Sequence, residues 1–127
     1  MRDYRRFTPI LFVFLVAAAV WLITPVLAGG NQEAAKQAWP MIENGALLVD
    51  VRSEEEFATG HLDGAINISW DDTDALIAAI GSNKQRPVVF YCRSGNRAGK
   101  SITTLAEKGY TNIFNATGLE ALKATKP

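Results

Sequence analysis

Two short runs of apolar, β-branched and aromatic residues constrain this chain most: Ala46 to Val51 (A-L-L-V-D-V) and Pro87 to Tyr91 (P-V-V-F-Y). Strands this short, with little polar alternation, are buried on both faces. Helices must then cover both sides of the sheet. Asp72 to Ile80 has acids in its first turn, Leu76, Ala79 and Ile80 on one side and Gly81 as a stop. Arg97 to Lys108 sets Ala98, Ile102, Leu105 and Ala106 at i, i+4, i+7 and i+8, with Gly109 after it. Glu33 to Trp39 reads as a further helix, disturbed at Pro40, while Ala65 to Ile68 and Asn112 to Phe114 are weaker strands. This alternation predicts an α/β domain with a mainly parallel central sheet and helices on both faces. In such sheets chemistry sits beyond the carboxyl ends of strands, here after Val51 and after Tyr91.

A chain of 127 residues has room for one domain, and 13 basic against 13 acidic residues leave no global field to hold nucleic acid. The first 28 residues read as a signal peptide. Arg2, Arg5 and Arg6 form a positive start, Ile10 to Ile23 is an unbroken apolar run of fourteen residues, and Val26 and Ala28 fit a cleavage pattern before Gly29. The expected organisation is a signal peptide over residues 1–28 and one domain over 29–127, exported. The competing reading takes Ile10 to Ala28 as nineteen residues, enough to span a bilayer as an uncleaved anchor. Membrane contact is expected only in that case. The single cysteine, Cys92, excludes an internal disulfide; in an exported protein it suggests an intermolecular partner or a reactive thiol.

Cys92 begins the loop Cys92-Arg93-Ser94-Gly95-Asn96-Arg97, between a strand and a helix. Gly95 can take positive φ, so the loop can fold back and aim successive N–H groups inward, an anion-binding nest completed by the helix N-terminus. A free thiol with pKa about 8.5 is only about 3% thiolate at pH 7. The nest, with Arg93 and Arg97 nearby, favours the charged form without a histidine. His61, the only histidine, lies in the turn Gly60-His61-Leu62-Asp63-Gly64 and reads as a packing or turn residue. Ser53 to Glu56 (S-E-E-E) fits a helix capping box. Asp50 and Arg52 read as a structural ion pair or turn contacts, and Trp39 and Trp70 as packing residues. One cysteine and one histidine without clustered carboxylates make no metal set.

Two other readings fail by register. Gly95 to Ser101 resembles a P-loop, but three residues separate Gly95 from Gly99 where that motif needs four. A cysteine phosphatase loop places its arginine six positions after the cysteine, and position 98 is alanine. The shorter loop suits a smaller group than a phosphate ester.

Four ordered stretches resemble the single-domain rhodaneses, in particular the small exported thiosulfate sulfurtransferases of the phage shock protein E type. They are Leu48 to Arg52 followed by Glu56-Phe57; Gly60 to Ile68; Tyr91 to Ala98; and Asn115-Ala116-Thr117-Gly118-Leu119, where Thr117 replaces the first residue of a glycine pair. The resemblance implies a rhodanese-like fold and a periplasmic sulfurtransferase. Cys92 would attack the outer sulfur of thiosulfate or a similar small anionic donor, form a persulfide, and pass the sulfur to cyanide or a thiol acceptor. Arg93, Ser94, Gly95, Asn96 and Arg97 would bind the donor, with no cofactor or metal, and the protein would act as a monomer. The alternative from another class is a persulfide carrier or redox-partner module with negligible turnover on thiosulfate.

Overall fold

A computed structural model describes residues 31–127; the signal peptide expected over residues 1–28 and its expected cleavage before Gly29 lie outside the described residues. In chain order the elements are α1 (Gln32–Glu43), β1 (Leu47–Asp50), α2 (Glu54–Thr59), β2 (Ile66–Asn67), α3 (Thr73–Ile80), β3 (Val88–Cys92), α4 (Asn96–Glu107), β4 (Ile113–Gly118) and α5 (Leu119–Ala124). The strands form one sheet in the order β2-β1-β3-β4, and every pair is parallel.

Central β3 is buried along its whole length, as its apolar run requires. Strand alternation sends its side chains to opposite faces. Val89 and Tyr91 join Leu48, Ala116, Trp39 and Leu122 in a core beneath α1 and α5. Val88, Phe90 and Cys92 join Val49, Leu76, Ile80, Ala98 and Leu105 in a second core beneath α3 and α4. Both faces of the sheet are therefore covered. Trp39 joins the first layer, its Nε1 donating to the Leu122 carbonyl and the Thr125 hydroxyl, each at 3.1 Å.

Several boundaries differ from the sequence expectations. α1 continues through Pro40 to Glu43; a proline removes one backbone donor, and burial of Ala35, Ala38 and Trp39 on one face holds the helix together despite it. Asp72 is the N-cap of α3, its side chain accepting from the Ala75 N–H. β4 extends to Gly118 and feeds directly into α5, a helix the apolar periodicity did not mark.

Candidate active site

Cys92 is the last residue of β3, and Gly95 caps α4 three residues later. Gly95 has φ 96°, left-handed geometry that an L side chain adopts only with strain. That geometry turns the loop back so that the Gly95 N–H donates to Cys92 Sγ at 3.0 Å. No side chain caps α4, which leaves its first-turn N–H groups available to an anion. Cys92 is wholly buried, Gly95 is buried, and Arg93, Ser94 and Asn96 are exposed along the loop.

Arg97, half-buried, turns its guanidinium to α2. Its Nη1 and Nη2 donate to Glu56 Oε1 and Oε2 at 2.6 and 3.0 Å. Arg97 is thereby held further toward its charged form, chiefly by that hydrogen bond. The same contact draws the Glu56 carboxyl down to about 2. Glu56 also completes the capping box with Ser53, accepting from the Ser53 N–H while Ser53 Oγ accepts from the Glu56 N–H. The cap of α2 is thus clamped onto the start of α4.

A second ion pair stiffens the neighbouring wall. Arg52 Nη2 lies 2.7 Å from Asp50 Oδ2, Arg52 Nε donates to both carboxylate oxygens, and Arg52 Nη2 also donates to the Gly60 carbonyl at 2.7 Å. Asp50 is fully buried and Arg52 is 7% exposed, so this pair is structural, as its place at the strand end suggested. Its hydrogen bond to Asp50 raises the Arg52 pKa further. Tyr91 lies below, its hydroxyl accepting from the Leu62 N–H at 3.1 Å, and burial pushes its pKa well above the usual phenol range. A cavity of about 240 Å³ opens beside the loop, lined by Arg52, Thr59, Gly60, Arg93, Leu119 and Lys123 among others.

His61 stands apart from the thiol. Its ring stacks on Phe57 with centroids 3.6 Å apart, and Nδ1 lies 2.9 Å from the Phe57 carbonyl. That contact makes Nδ1 the donor, and no hydrogen bond joins His61 to Cys92 among the described residues. No cluster of potential metal ligands occurs among the described residues.

Two contacts went unread in the sequence. Asn115 Nδ2 donates to the Gly95 carbonyl at 2.9 Å, and Thr117 adopts φ 71° where its chain neighbours Gly95. The Asn-x-Thr-Gly order in the closing motif was the available signal, because asparagine bonds its own backbone two residues on.

Residues 34–124 match the family model described as "Rhodanese-like domain". The chain is similar to thiosulfate sulfurtransferase PspE of Escherichia coli (strain K12), 36% identical over 78 residues that cover 61% of this chain and 75% of the relative. It is also similar to thiosulfate sulfurtransferase GlpE of Pseudomonas aeruginosa (strain LESB58), 31% identical over 85 residues, 67% of this chain and 76% of the relative. Among solved structures, a rhodanese with anions from E. coli aligns with TM-score 0.56 at 35% identity, covering 61% of this chain and 91% of that one. The human single-domain sulfurtransferase TSTD1 aligns with TM-score 0.59 at 28% identity, covering 72% and 92%.

Proposed function

Because the chain belongs to the rhodanese-like domain family, we propose that it is a thiosulfate sulfurtransferase with Cys92 as its nucleophile. The observation that carries this reading is the Gly95 N–H placed 3.0 Å from Cys92 Sγ where β3 ends and uncapped α4 begins. The Cys92 thiolate attacks the outer sulfur of thiosulfate. The new S–S bond forms as the S–S bond of thiosulfate breaks, and sulfite leaves with the bonding pair. Cyanide, or a thiolate acceptor, then attacks the outer sulfur of the Cys92 persulfide and leaves as thiocyanate or a persulfide, regenerating the thiolate. Neither step with cyanide gains or loses a proton, so no histidine is required, in keeping with the position of His61.

Charge decides the roles of the loop residues. Donor, persulfide and sulfite are all anions, which N–H groups at a helix start and the exposed Arg93 stabilise. Ser94 and Asn96 line the same turn, and Arg97 holds the loop against α2 while its positive charge stays near the sulfur. Cys92 is sealed at 0% exposure.

The test is thiocyanate formation from thiosulfate and cyanide by the parent and Cys92→Ser, side by side. Turnover well above that of a free thiol, abolished in the variant, supports the enzyme. Sulfur loading without turnover would make the protein a persulfide carrier instead. We also propose that residues 1–28 direct export to the periplasm and are removed before Gly29. Mass spectrometry of the cell-derived protein checks this, and recovery of the full-length chain from membranes would establish the anchor reading.

A further inference from the structure

We infer that Asn115 is a positioning residue for Cys92, acting through the backbone on either side of the Gly95 Cα; this rests on the assignment of Cys92 as nucleophile. The register of β3 against β4 is broken at this point. Phe90 pairs with Asn115 and Cys92 with Gly118, so two steps along β3 face three along β4. The additional β4 residue is a bulge, a device that re-aims side chains beside functional sites. Thr117 lies within it at φ 71°, a genuine outlier for a β-branched residue. The fold sustains that strain beside the nucleophile loop.

What the bulge achieves is a path from β4 to the sulfur made of hydrogen bonds and the backbone of Gly95. The Thr117 N–H donates to Asn115 Oδ1 at 2.9 Å, which fixes the amide and leaves Nδ2 pointing at the loop. Asn115 Nδ2 then donates to the Gly95 carbonyl at 2.9 Å. That carbonyl also accepts the Gly99 N–H at 2.8 Å, the first helical bond of α4. The Gly95 carbonyl is thus held on two sides, and the Gly95 N–H, on the other side of the same Cα, is left aimed at Cys92 Sγ at 3.0 Å. Steric contact supports the same placement, since a Cβ built on Gly95 would meet Thr117 Cα at 3.1 Å. Asn115 touches neither sulfur nor donor. Its effect is to keep one N–H donor where charge resides on sulfur and where it returns when the persulfide is consumed.

Asn115→Asp tests this with almost no change of shape. The introduced carboxylate still accepts the Thr117 N–H but has no donor for the Gly95 carbonyl. Once protonated, it can donate again. The matched control is Asn112→Asp near the start of β4, where Nδ2 donates to the Gln85 carbonyl at 3.2 Å, far from the loop. We expect Asn115→Asp to slow iodoacetamide modification of Cys92 by about threefold at pH 6: the lost hydrogen bond to charged sulfur cuts the thiolate fraction about tenfold, and the more basic sulfur regains about threefold in nucleophilicity. The ratio of parent to variant rates should shrink as pH falls through the carboxyl range, about 4 to 5, a profile that general loosening would not produce. Asn112→Asp should match the parent throughout.

A second measurement uses the unaltered protein, in case the variant fails to fold. The Asn115 side-chain amide and Gly95 backbone amide resonances should move together when Cys92 is alkylated. Equal alkylation rates for parent and Asn115→Asp, a pH-independent deficit shared with Asn112→Asp, or an Asn115 resonance indifferent to Cys92 would overturn the inference. Alkylation needs no sulfur donor, so these results stand apart from the thiosulfate assay. Failure of that assay with the alkylation pattern intact would reject the enzyme reading and leave the positioning role.

Discussion

Replacing Arg52 by methionine keeps much of the side chain's length and apolar stem while removing its charge. The structure sets the cost. Asp50 is fully buried, and Arg52 Nε and Nη2 are its side-chain partners. The substitution therefore leaves a buried carboxylate with the backbone N–H of residue 52 at 3.0 Å and the buried Tyr91 hydroxyl beside it, and it strips Nη2 from the Gly60 carbonyl. Breaking one side of a buried pair costs about 3–5 kcal/mol. For a domain of this size even about 3 kcal/mol lowers Tm by roughly 12–24 °C. Urea titration at pH 7 of the parent, Arg52→Met, Asp50→Asn and the double variant gives the complete cycle. The double variant should recover at least half of the loss, because a neutral amide can still accept the backbone N–H and no longer buries a charge. An Arg52→Met protein within about 1 kcal/mol of the parent, or a double variant no better than the single one, would refute the reasoning.

Three further outcomes follow from the loop and its clamp. Arg97→Ala should slow sulfur loading of Cys92 by about tenfold, while Lys108→Ala, at the far end of α4, leaves it unchanged; single-turnover loading with thiosulfate measures both. Glu56 has its carboxyl drawn from 4.5 to about 2 by Arg97, so its contribution is present above about pH 4.5 and disappears as pH falls through 2. Glu56→Gln should accordingly lower stability near neutral pH by about 1 kcal/mol, screened because the pair is partly exposed, and the gap should close in acid unfolding curves toward pH 2. Gly95→Ala should reduce loading at least about tenfold, since φ 96° and the 3.1 Å approach to Thr117 Cα force the Gly95 N–H off the sulfur; a loading rate equal to the parent's would show that this N–H is dispensable.

What was legible in the sequence was local. Short runs such as Pro87 to Tyr91 announced buried strands because a strand covered on both faces has no polar side to show. The cysteine loop was readable because strand, glycine and helix follow one another within a few residues. The capping box of Ser53 and Glu56 was readable for the same reason. Contacts between distant segments were not. Arg97 lies 41 residues from Glu56 and Asn115 lies 20 from Gly95, so each pairing depends on sheet order rather than on neighbouring chemistry. The loop alone marked Arg97 as a group facing the donor; its pairing with Glu56 on α2 could not be read there. Pro40 looked like a helix end because local preference weighs one missing N–H but not the packing of Trp39 against α5. The bulge at Thr117 was hidden for a further reason: a left-handed β-branched residue runs against local preference, and only tertiary contacts hold it there.

The measurement that bears most directly on the account is the mass of the reduced intact protein after incubation with thiosulfate, compared with Cys92→Ser and with His61→Ala. The parent should gain one sulfur atom at Cys92, lose it to cyanide with release of an equivalent of thiocyanate, and behave the same when His61 is alanine. Cys92→Ser should gain nothing. No sulfur on the parent, equal loading of Cys92→Ser, or loading that vanishes with His61 would contradict a Cys92 nucleophile served by the Gly95 N–H and the start of α4.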